Sequence, residues 1–244
     1  MKGVILAGGT GSRLFPLTKV TNKHLLPVGK KPMILHPIEK LIQAGIKEII
    51  VVTGVEHMGA VVNLLGSGKD YGCEFSYKVQ DQAGGIAQAL GLTESFCQGS
   101  KICVILGDNI FEDKLEGYAR HFEQQSKGAK VTLKEVTDPH RFGVAEIKGE
   151  TIISIEEKPK SPKSSYAVTG IYFYDSQIFD IIRTLKPSGR GELEITDVNN
   201  FYVKQGTMTY DFFKGNWTDA GTFESLNTAN QIMFRSGMSS LGNV

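Results

Sequence analysis

The chain has 244 residues, 41% hydrophobic and 22% charged, with a formal net charge of +1. This length suits one large or two small domains with a buried core, and the near-neutral charge argues against duplex DNA or an anionic membrane as a partner. Apolar runs are too short to span a bilayer, and no charged-then-apolar leader precedes the first predicted strand. Cys73, Cys97 and Cys103 form no CxxC and are expected to be reduced thiols. We therefore expect a cytoplasmic protein.

The first half of the chain alternates short apolar runs with helical patterns. Such alternation predicts an α/β fold, with a mostly parallel, Rossmann-like sheet covered by helices on both faces. Strands are predicted over 2–7, 48–53, 74–79, 102–106 and 130–136, and helices over 32–44, 57–65, 86–96 and 115–125.

The second half changes character after residue 140. Closely spaced alternating runs at 142–147, 152–156 and 167–174 predict a small antiparallel sheet added at or near one edge. Helices over 177–185, 195–204 and 223–234 and a strand over 208–213 complete the pattern. No linker or internal repeat divides the chain, so we predict one domain over 1–236, with a polar tail at 237–244.

A glycine-rich loop follows the first predicted strand. Gly8, Gly9 and Gly11 stand just before Arg13, and Lys23 follows ten residues later. Glycines let backbone N–H groups approach an anion, and the two cations supply the charge that a polyphosphate needs. The dinucleotide fingerprint fails because Leu14 stands where the third glycine belongs, and no P-loop pattern is present. The alternative is a plain strand-to-helix turn.

Two aspartates far apart in the sequence are candidate metal ligands. Asp108 follows a predicted buried strand, the place where α/β sheets bind ligands. Asp219 lies in the stretch Trp217–Gly221, just before the last predicted helix. A turn or a helix N-cap is the alternative role for each. The five histidines have no zinc-type spacing, so no zinc site is predicted.

The stretch LAGGTGSRLFPLT (6–18), followed by NKHLLPV (22–28), resembles the signature of the sugar-nucleotide nucleotidylyltransferases. Within that family the chain is similar to the short form of the glucose-1-phosphate thymidylyltransferases. The resemblance continues through VQDQAGGIAQAL (79–90), LGDNIFED (106–113), DPHRFGVAEI (138–147), IEEKPKSPKSSYAVTGIYFYD (155–175), RGELEITDVNN (190–200) and WTDAGT (217–222).

This resemblance implies an enzyme that makes dTDP-glucose and pyrophosphate from dTTP and glucose 1-phosphate, as in dTDP-rhamnose and surface-polysaccharide synthesis. The sugar phosphate would attack the α-phosphorus in line, assisted by Mg²⁺. Such chemistry depends mainly on positioning and charge neutralisation, so neither a covalent intermediate nor a general base is expected.

The resemblance also implies roles for individual residues. Gln80 would pair with the O4/N3 edge of the base, since its amide donates and accepts, and the Gly85 N–H would reach O2. The implied catalytic residues are Arg13, Lys23 and Lys158, and the implied metal ligands are Asp108 and Asp219. The implied nucleotide site is Leu6, Gly8, Gly9, Gly11, Arg13, Lys23, Gln80, Gly85 and Asp108. The implied sugar-phosphate site is Gly143, Glu157, Lys158, Val168, Tyr172 and Arg190.

Three features leave alternatives open. His24 and Phe142 stand where many relatives have Gln and Tyr, and the chain ends earlier than the long form of the family. The shorter length favours a homodimer over a tetramer. A UTP-dependent uridylyltransferase and a catalytically idle nucleotide-sugar-binding regulatory protein are the competing functions.

Overall fold

The computed structural model describes residues 1–235. Its strands are β1 (Lys2–Ala7), β2 (Pro27–Val28), β3 (Lys31–Pro32), β4 (Glu48–Gly54), β5 (Glu74–Gln80), β6 (Ile102–Leu106), β7 (Asn109–Phe111), β8 (Ala129–Glu135), β9 (Gly143–Lys148), β10 (Thr151–Glu157), β11 (Tyr166–Tyr174), β12 (Met208–Phe212) and β13 (Trp217–Asp219). Its α-helices are α1 (Leu35–Gln43), α2 (Met58–Leu65), α3 (Ile86–Gly91), α4 (Glu94–Cys97), α5 (Leu115–Gln124), α6 (Ile178–Thr184), α7 (Ile195–Gln205) and α8 (Phe223–Arg235).

One large mixed sheet organises these elements in the order β10-β9-β11-β6-β1-β4-β5. Strands β6, β1, β4 and β5 are mutually parallel. Strand β11 runs antiparallel to β6 and also pairs with β8 and β9, so the sheet branches there. Strand β12 then adds to β8 in parallel. The antiparallel strands are therefore continuous with the main sheet.

The two faces of the sheet bury alternate residues of the same strands, as the period of two requires. From β1, Val4 and Leu6 pack with α3, α6 and α7, whereas Ile5 and Ala7 pack with α1, α2 and α5. Helices thus cover both faces, and the predicted α/β class is confirmed. Among residues 1–235, no helix combines the length and the apolar character needed to cross a bilayer.

A third apolar cluster fastens the glycine loop to the end of the described chain. Leu14 and Val28, on either side of Lys23, pack against Ile110, Ala220 and α8. The side-chain oxygen of Asn230 on α8 also accepts a hydrogen bond from the Gly29 N–H at 2.9 Å. Helix α8 therefore packs against the segments that flank Lys23 and holds them in place.

The sequence predictions differ from the structure in a few places. The helix predicted over 86–96 is divided into α3 and α4. Between them the backbone forms a tighter turn, in which both the N–H (3.0 Å) and the hydroxyl (2.7 Å) of Thr93 donate to the Leu90 carbonyl. The short strands β7 and β13 were not predicted. The prediction of a single domain over 1–236 stays a prediction, and the tail at 237–244 lies outside the described residues.

Candidate active site

A cleft of about 380 Å³ opens at the carboxyl ends of β1, β5 and β6. It is lined by every site residue predicted from the sequence except Gly11. Its far wall comes from β11 and the start of α7, which contribute Val168, Tyr172 and Thr196. The parallel strands bring separate loops to one edge of the sheet, where ligands of open α/β folds bind.

The glycine loop turns sharply at Gly11. Its φ is +68°, and a Cβ placed there would lie 2.7 Å from Thr18 Cγ2. Its carbonyl accepts a hydrogen bond from the Thr18 hydroxyl at 2.9 Å. Gly11 thus shapes the loop from outside the cleft, whereas Gly8 and Gly9 line it. A short 3-10 helix follows and carries Arg13.

Lys23 and Asp108 form an ion pair inside this cleft. Lys23 Nζ lies 2.6 Å from Asp108 Oδ2, and both side chains are nearly buried. Burial by itself opposes ionisation of Asp108, but the Lys23 ammonium group and hydrogen bonds outweigh burial and hold the pKa of Asp108 well below its usual range. The neighbouring His24 is buried beside Lys23, and this lowers its pKa to about 3. His24 is therefore neutral at physiological pH.

Asp219 is positioned near Asp108 by the short antiparallel pairing of β13 with β7. In the pairing of β13 with β7, Asp219 stands opposite Asn109, the neighbour of Asp108. Burial and the nearby charge of Asp108 raise the pKa of Asp219 to about 6, although Arg141 and Arg13 oppose the rise. An ionised Asp108 beside a second acidic group whose ionisation it disfavours indicates a place for a divalent cation.

Arg141 is a cleft residue that the sequence reasoning missed. Its guanidinium group contacts Asp219 Oδ1 at 3.2 Å and Asp138 Oδ2 at 2.8 Å. The signal was present, since Arg141 directly precedes Phe142-Gly143 in a stretch already matched to the family. Arg13 approaches the same region from the glycine loop, because a Cβ added to Gly221 would lie 2.8 Å from Arg13 Nη2. Cations thus surround both aspartates.

Asn109 is a second missed residue, and it is almost fully buried. Its Oδ1 accepts hydrogen bonds from the Gly170 N–H at 3.0 Å and from the Trp217 indole at 2.7 Å. Its Nδ2 donates to Asp108 Oδ1 at 3.0 Å. Asn109 therefore connects Asp108 to β11 and β13. Nothing local in the sequence distinguishes this role from that of a turn residue.

Gln80 and Gly85 form the opposite end of the cleft. Gln80 ends β5 and is only 7% exposed. Gly85 has a φ of +97°, and a Cβ there would lie 2.5 Å from the Leu193 carbonyl oxygen. The Leu193 N–H also donates to the Gly84 carbonyl at 2.8 Å. The loop before α3 is thus held tightly against the segment before α7.

Glu157 lies among polar groups at the far wall. Thr196 donates a hydrogen bond to its Oε2 at 2.6 Å, and Lys158 and Arg190 approach its Oε1 at 3.7 Å each. Lys158 adopts a φ of +45°, and its N–H donates to the Phe142 carbonyl at 2.9 Å. Arg190 pairs mainly with Glu194, at 2.8 Å. Two cations therefore line this end of the cleft.

The donor set of the cleft fits Mg²⁺. Residues 1–235 contain no group of three or more His, Cys, Asp or Glu side chains placed to hold a metal. The candidate metal ligands in the cleft are the two carboxylates of Asp108 and Asp219. Mg²⁺ typically takes one or two protein carboxylates and completes its shell with water and substrate phosphates.

A family model described as "Nucleotidyl transferase" matches residues 2–235. This chain belongs to the nucleotidyl transferase family. It is 45% identical over 239 residues to the glucose-1-phosphate thymidylyltransferase of Neisseria meningitidis, covering 94% of this chain and 81% of that protein. It is 44% identical to the enzyme of the same name from Mycolicibacterium smegmatis, covering 96% and 82%. The family recognised in the sequence and its enzyme class, a nucleotidyltransferase, are confirmed.

Solved structures of nucleotidyltransferases share the fold. A Bacillus anthracis protein, described as a candidate glucose-1-phosphate thymidylyltransferase in complex with a sucrose, is 62% identical with a TM-score of 0.92. That match covers 95% of this chain and 94% of the other. A UDP-glucose pyrophosphorylase complexed with UDP-glucose is 26% identical with a TM-score of 0.85, covering 96% and 98%.

Proposed function

We propose that this nucleotidyltransferase transfers the thymidylyl group of dTTP to glucose 1-phosphate and releases pyrophosphate. The observation that carries the proposal is the single cleft that gathers the glycine loop, the Lys23–Asp108 pair, Asp219 and the Glu157–Lys158 wall. The names of the relatives that are 44% and 45% identical support dTTP and glucose 1-phosphate as the substrates.

The reaction forms one bond and breaks another at the α-phosphorus. A phosphate oxygen of glucose 1-phosphate bonds to that phosphorus, and the bond to the bridging oxygen of the β-phosphate breaks. The electron pair leaves with pyrophosphate. Because the sugar phosphate is already an anion near neutral pH, no side chain has to remove a proton.

Each part of the cleft has a task in this scheme. Backbone N–H groups of Gly8 and Gly9, with Arg13, hold the triphosphate and stabilise the leaving pyrophosphate. Lys23 exchanges its contact with Asp108 for the α-phosphate. Lys158 and Arg190 hold the sugar phosphate.

The remaining predicted residues orient the sugar and hold the metal. Glu157 accepts hydrogen bonds from sugar hydroxyls, and Gly143, Val168 and Tyr172 line the hexose pocket. Asp108 and Asp219 would hold Mg²⁺. When bound, this ion would neutralise charge on the phosphate oxygens and fix their orientation.

A UTP-dependent uridylyltransferase is the second candidate. It is favoured by the fold shared with a UDP-glucose pyrophosphorylase, although at only 26% identity. A regulatory protein without activity is disfavoured, because the charged residues that the chemistry needs line one cleft. The homodimer and the cytoplasmic location stay predictions from the sequence.

Pyrophosphate release tests these alternatives directly. The panel pairs dTTP, UTP, CTP and ATP with the 1-phosphates of glucose, galactose and N-acetylglucosamine, in the presence of Mg²⁺. The highest kcat/KM is expected for dTTP with glucose 1-phosphate. A clear preference for UTP would move the assignment to the uridylyltransferase, and no release with any pair would refute the enzymatic proposal.

Asp108→Asn should abolish turnover because it removes a metal-binding charge. The side-chain shape is kept, so the protein should stay folded, although less stable because Lys23 loses its counter-ion. The measurement is the pyrophosphate assay together with circular dichroism. The matched control is Asp70→Asn, the same change at an exposed aspartate outside the cleft. Near-normal turnover of Asp108→Asn would remove this residue from the metal site.

A further inference from the structure

The carboxamide of Gln80 is held by a neighbour that lies outside the cleft lining. Gln80 Nε2 donates a hydrogen bond to Gln88 Oε1 at 2.5 Å. The same nitrogen faces the carbonyl oxygen of Gly85 at 3.4 Å. Gln88 projects from α3 and is only partly exposed. Both amide hydrogens of Gln80 are thus directed into the protein.

The contact with the Gly85 carbonyl identifies which end of the Gln80 amide is the nitrogen. A carbonyl oxygen can only accept a hydrogen bond, so the Gln80 atom beside it must be the nitrogen. This carbonyl cannot turn away easily, since it also accepts from the Ala89 N–H at 3.2 Å. Gly85 is itself packed against the Leu193 backbone, where a Cβ would lie 2.5 Å from the Leu193 carbonyl oxygen.

The other end of the amide is therefore an acceptor at the cleft surface. Gln80 Oε1 lies against Gly8, where an added Cβ would overlap it, and both residues line the cleft. The sequence led us to expect that Gln80 both donates to and accepts from the base, whereas here its nitrogen is engaged by Gln88 and Gly85. In this arrangement its oxygen is the group presented to a ligand.

We propose that Gln88 is a positioning residue for nucleobase selectivity. By holding the Gln80 amide with its oxygen toward the cleft, Gln88 favours a pyrimidine with an N–H donor at position 3, such as uracil or thymine. Cytosine carries an unprotonated acceptor at that position and would face an oxygen. A mispaired polar group in a desolvated site weakens binding substantially. The inference rests on the proposed function only in assigning this end of the cleft to the base.

Two substitutions at one position separate orientation from packing. Gln88→Met keeps the length of the side chain and removes the acceptor of the short hydrogen bond. Only the 3.4 Å contact with the Gly85 carbonyl then favours the wild-type orientation, so the Gln80 amide turns over more easily. Gln88→Glu keeps an oxygen that accepts from Gln80 Nε2, and it should retain the wild-type orientation. UTP and CTP are the best probes, because they share the ribose and differ only in the pairing edge of the base.

Binding is measured by calorimetry with each nucleotide and Mg²⁺, without sugar phosphate, and turnover is measured as the ratio of kcat/KM for UTP and CTP. Wild-type protein and Gln88→Glu should both prefer UTP. In Gln88→Met that preference should fall about ten-fold, with CTP binding improved and the melting temperature close to that of Gln88→Glu.

Three outcomes would overturn the inference: a wild-type protein that binds UTP no better than CTP, an unchanged ratio in Gln88→Met, or an equal loss of preference in Gln88→Glu. Failure of the proposed function gives a different result. In that case no sugar 1-phosphate supports pyrophosphate release, while the calorimetric preference for UTP and its loss in Gln88→Met remain.

Discussion

Asn109 accepts a hydrogen bond from the Trp217 indole N–H at 2.7 Å, across 108 positions of sequence. The same side chain donates to Asp108. Since Asp219 is two residues beyond Trp217 in β13, one buried amide links the strand that carries Asp219 to the turn that carries Asp108. The spacing of the two carboxylates is therefore set by a residue that carries no charge.

Asn109→Ala should reduce both stability and turnover. Removing Oδ1 leaves the Gly170 and Trp217 N–H groups without their acceptor, which costs about 1–3 kcal/mol for a fully buried donor. We expect kcat/KM to fall by about ten-fold or more as Asp108 and Asp219 lose their relative placement. Urea unfolding and the pyrophosphate assay measure the two effects. Asn216→Ala, beside Trp217, is the control: it removes only an exposed hydrogen bond to Glu112 and should change both quantities little.

Lys23→Gln should destabilise the protein as well as weaken nucleotide binding. Loss of the ammonium group leaves Asp108 ionised and nearly buried without its counter-ion, for which about 3 kcal/mol is expected. Calorimetry with dTTP and urea unfolding provide the measurements. Lys19→Gln makes the same change in charge at an exposed site of the same loop. If both variants bind dTTP equally, Lys23 does not contact the triphosphate.

Gly85→Ala should disrupt the base end of the cleft. At a φ of +97° a Cβ is strained, and here it would also collide with the Leu193 backbone. We expect a loss of stability above the roughly 1–3 kcal/mol of backbone strain alone, together with weaker dTTP binding. Gly45→Ala is the matched control, because Gly45 has a φ of +81° but nothing within 4 Å of the added Cβ. Equal urea-unfolding midpoints for Gly85→Ala and Gly45→Ala would contradict the predicted collision with Leu193.

His36 gives the fold a defined sensitivity to acid. Burial lowers its pKa from 6.5 to about 4, and its Nε2 hydrogen-bonds to the Val28 carbonyl at 2.9 Å. Between pH 6.5 and 4 the unfolded chain binds this proton more readily than the folded protein does. The free energy of unfolding therefore decreases as the pH is lowered, by up to about 1.4 kcal/mol per pH unit. His36→Gln keeps a donor for Val28 and should reduce that slope.

Urea unfolding at pH 7, 6 and 5 measures this slope. Part of it should remain in His36→Gln, because the pKa of the buried His24 is also lowered. His121→Gln, at an exposed position on α5, should leave the wild-type slope unchanged. An identical slope in all three proteins would show that His36 does not contribute.

Local pattern was enough to predict most strands and helices. Runs such as Lys2–Ala7 and Ile102–Leu106 are apolar because they are buried on both faces, and they end at glycines where the chain turns. The strand Trp217–Asp219 escaped prediction because it is three residues long and exists only by pairing with Asn109–Phe111. A pairing between such distant segments produces no local hydrophobic periodicity from which a strand could be predicted.

The amino-acid sequence alone was enough to identify the chemistry that the cleft can support: a glycine loop with Arg13 and Lys23, and two aspartates separated by 111 positions. Residue type and order carry that information, because phosphate and Mg²⁺ need particular charges and donors. The folded structure was needed to show how the aspartates come together, that Arg141 and Asn109 line or support the cleft, and which end of the Gln80 amide faces it. These are properties of contacts between distant segments, and they arise only when the sheet edge brings those segments together.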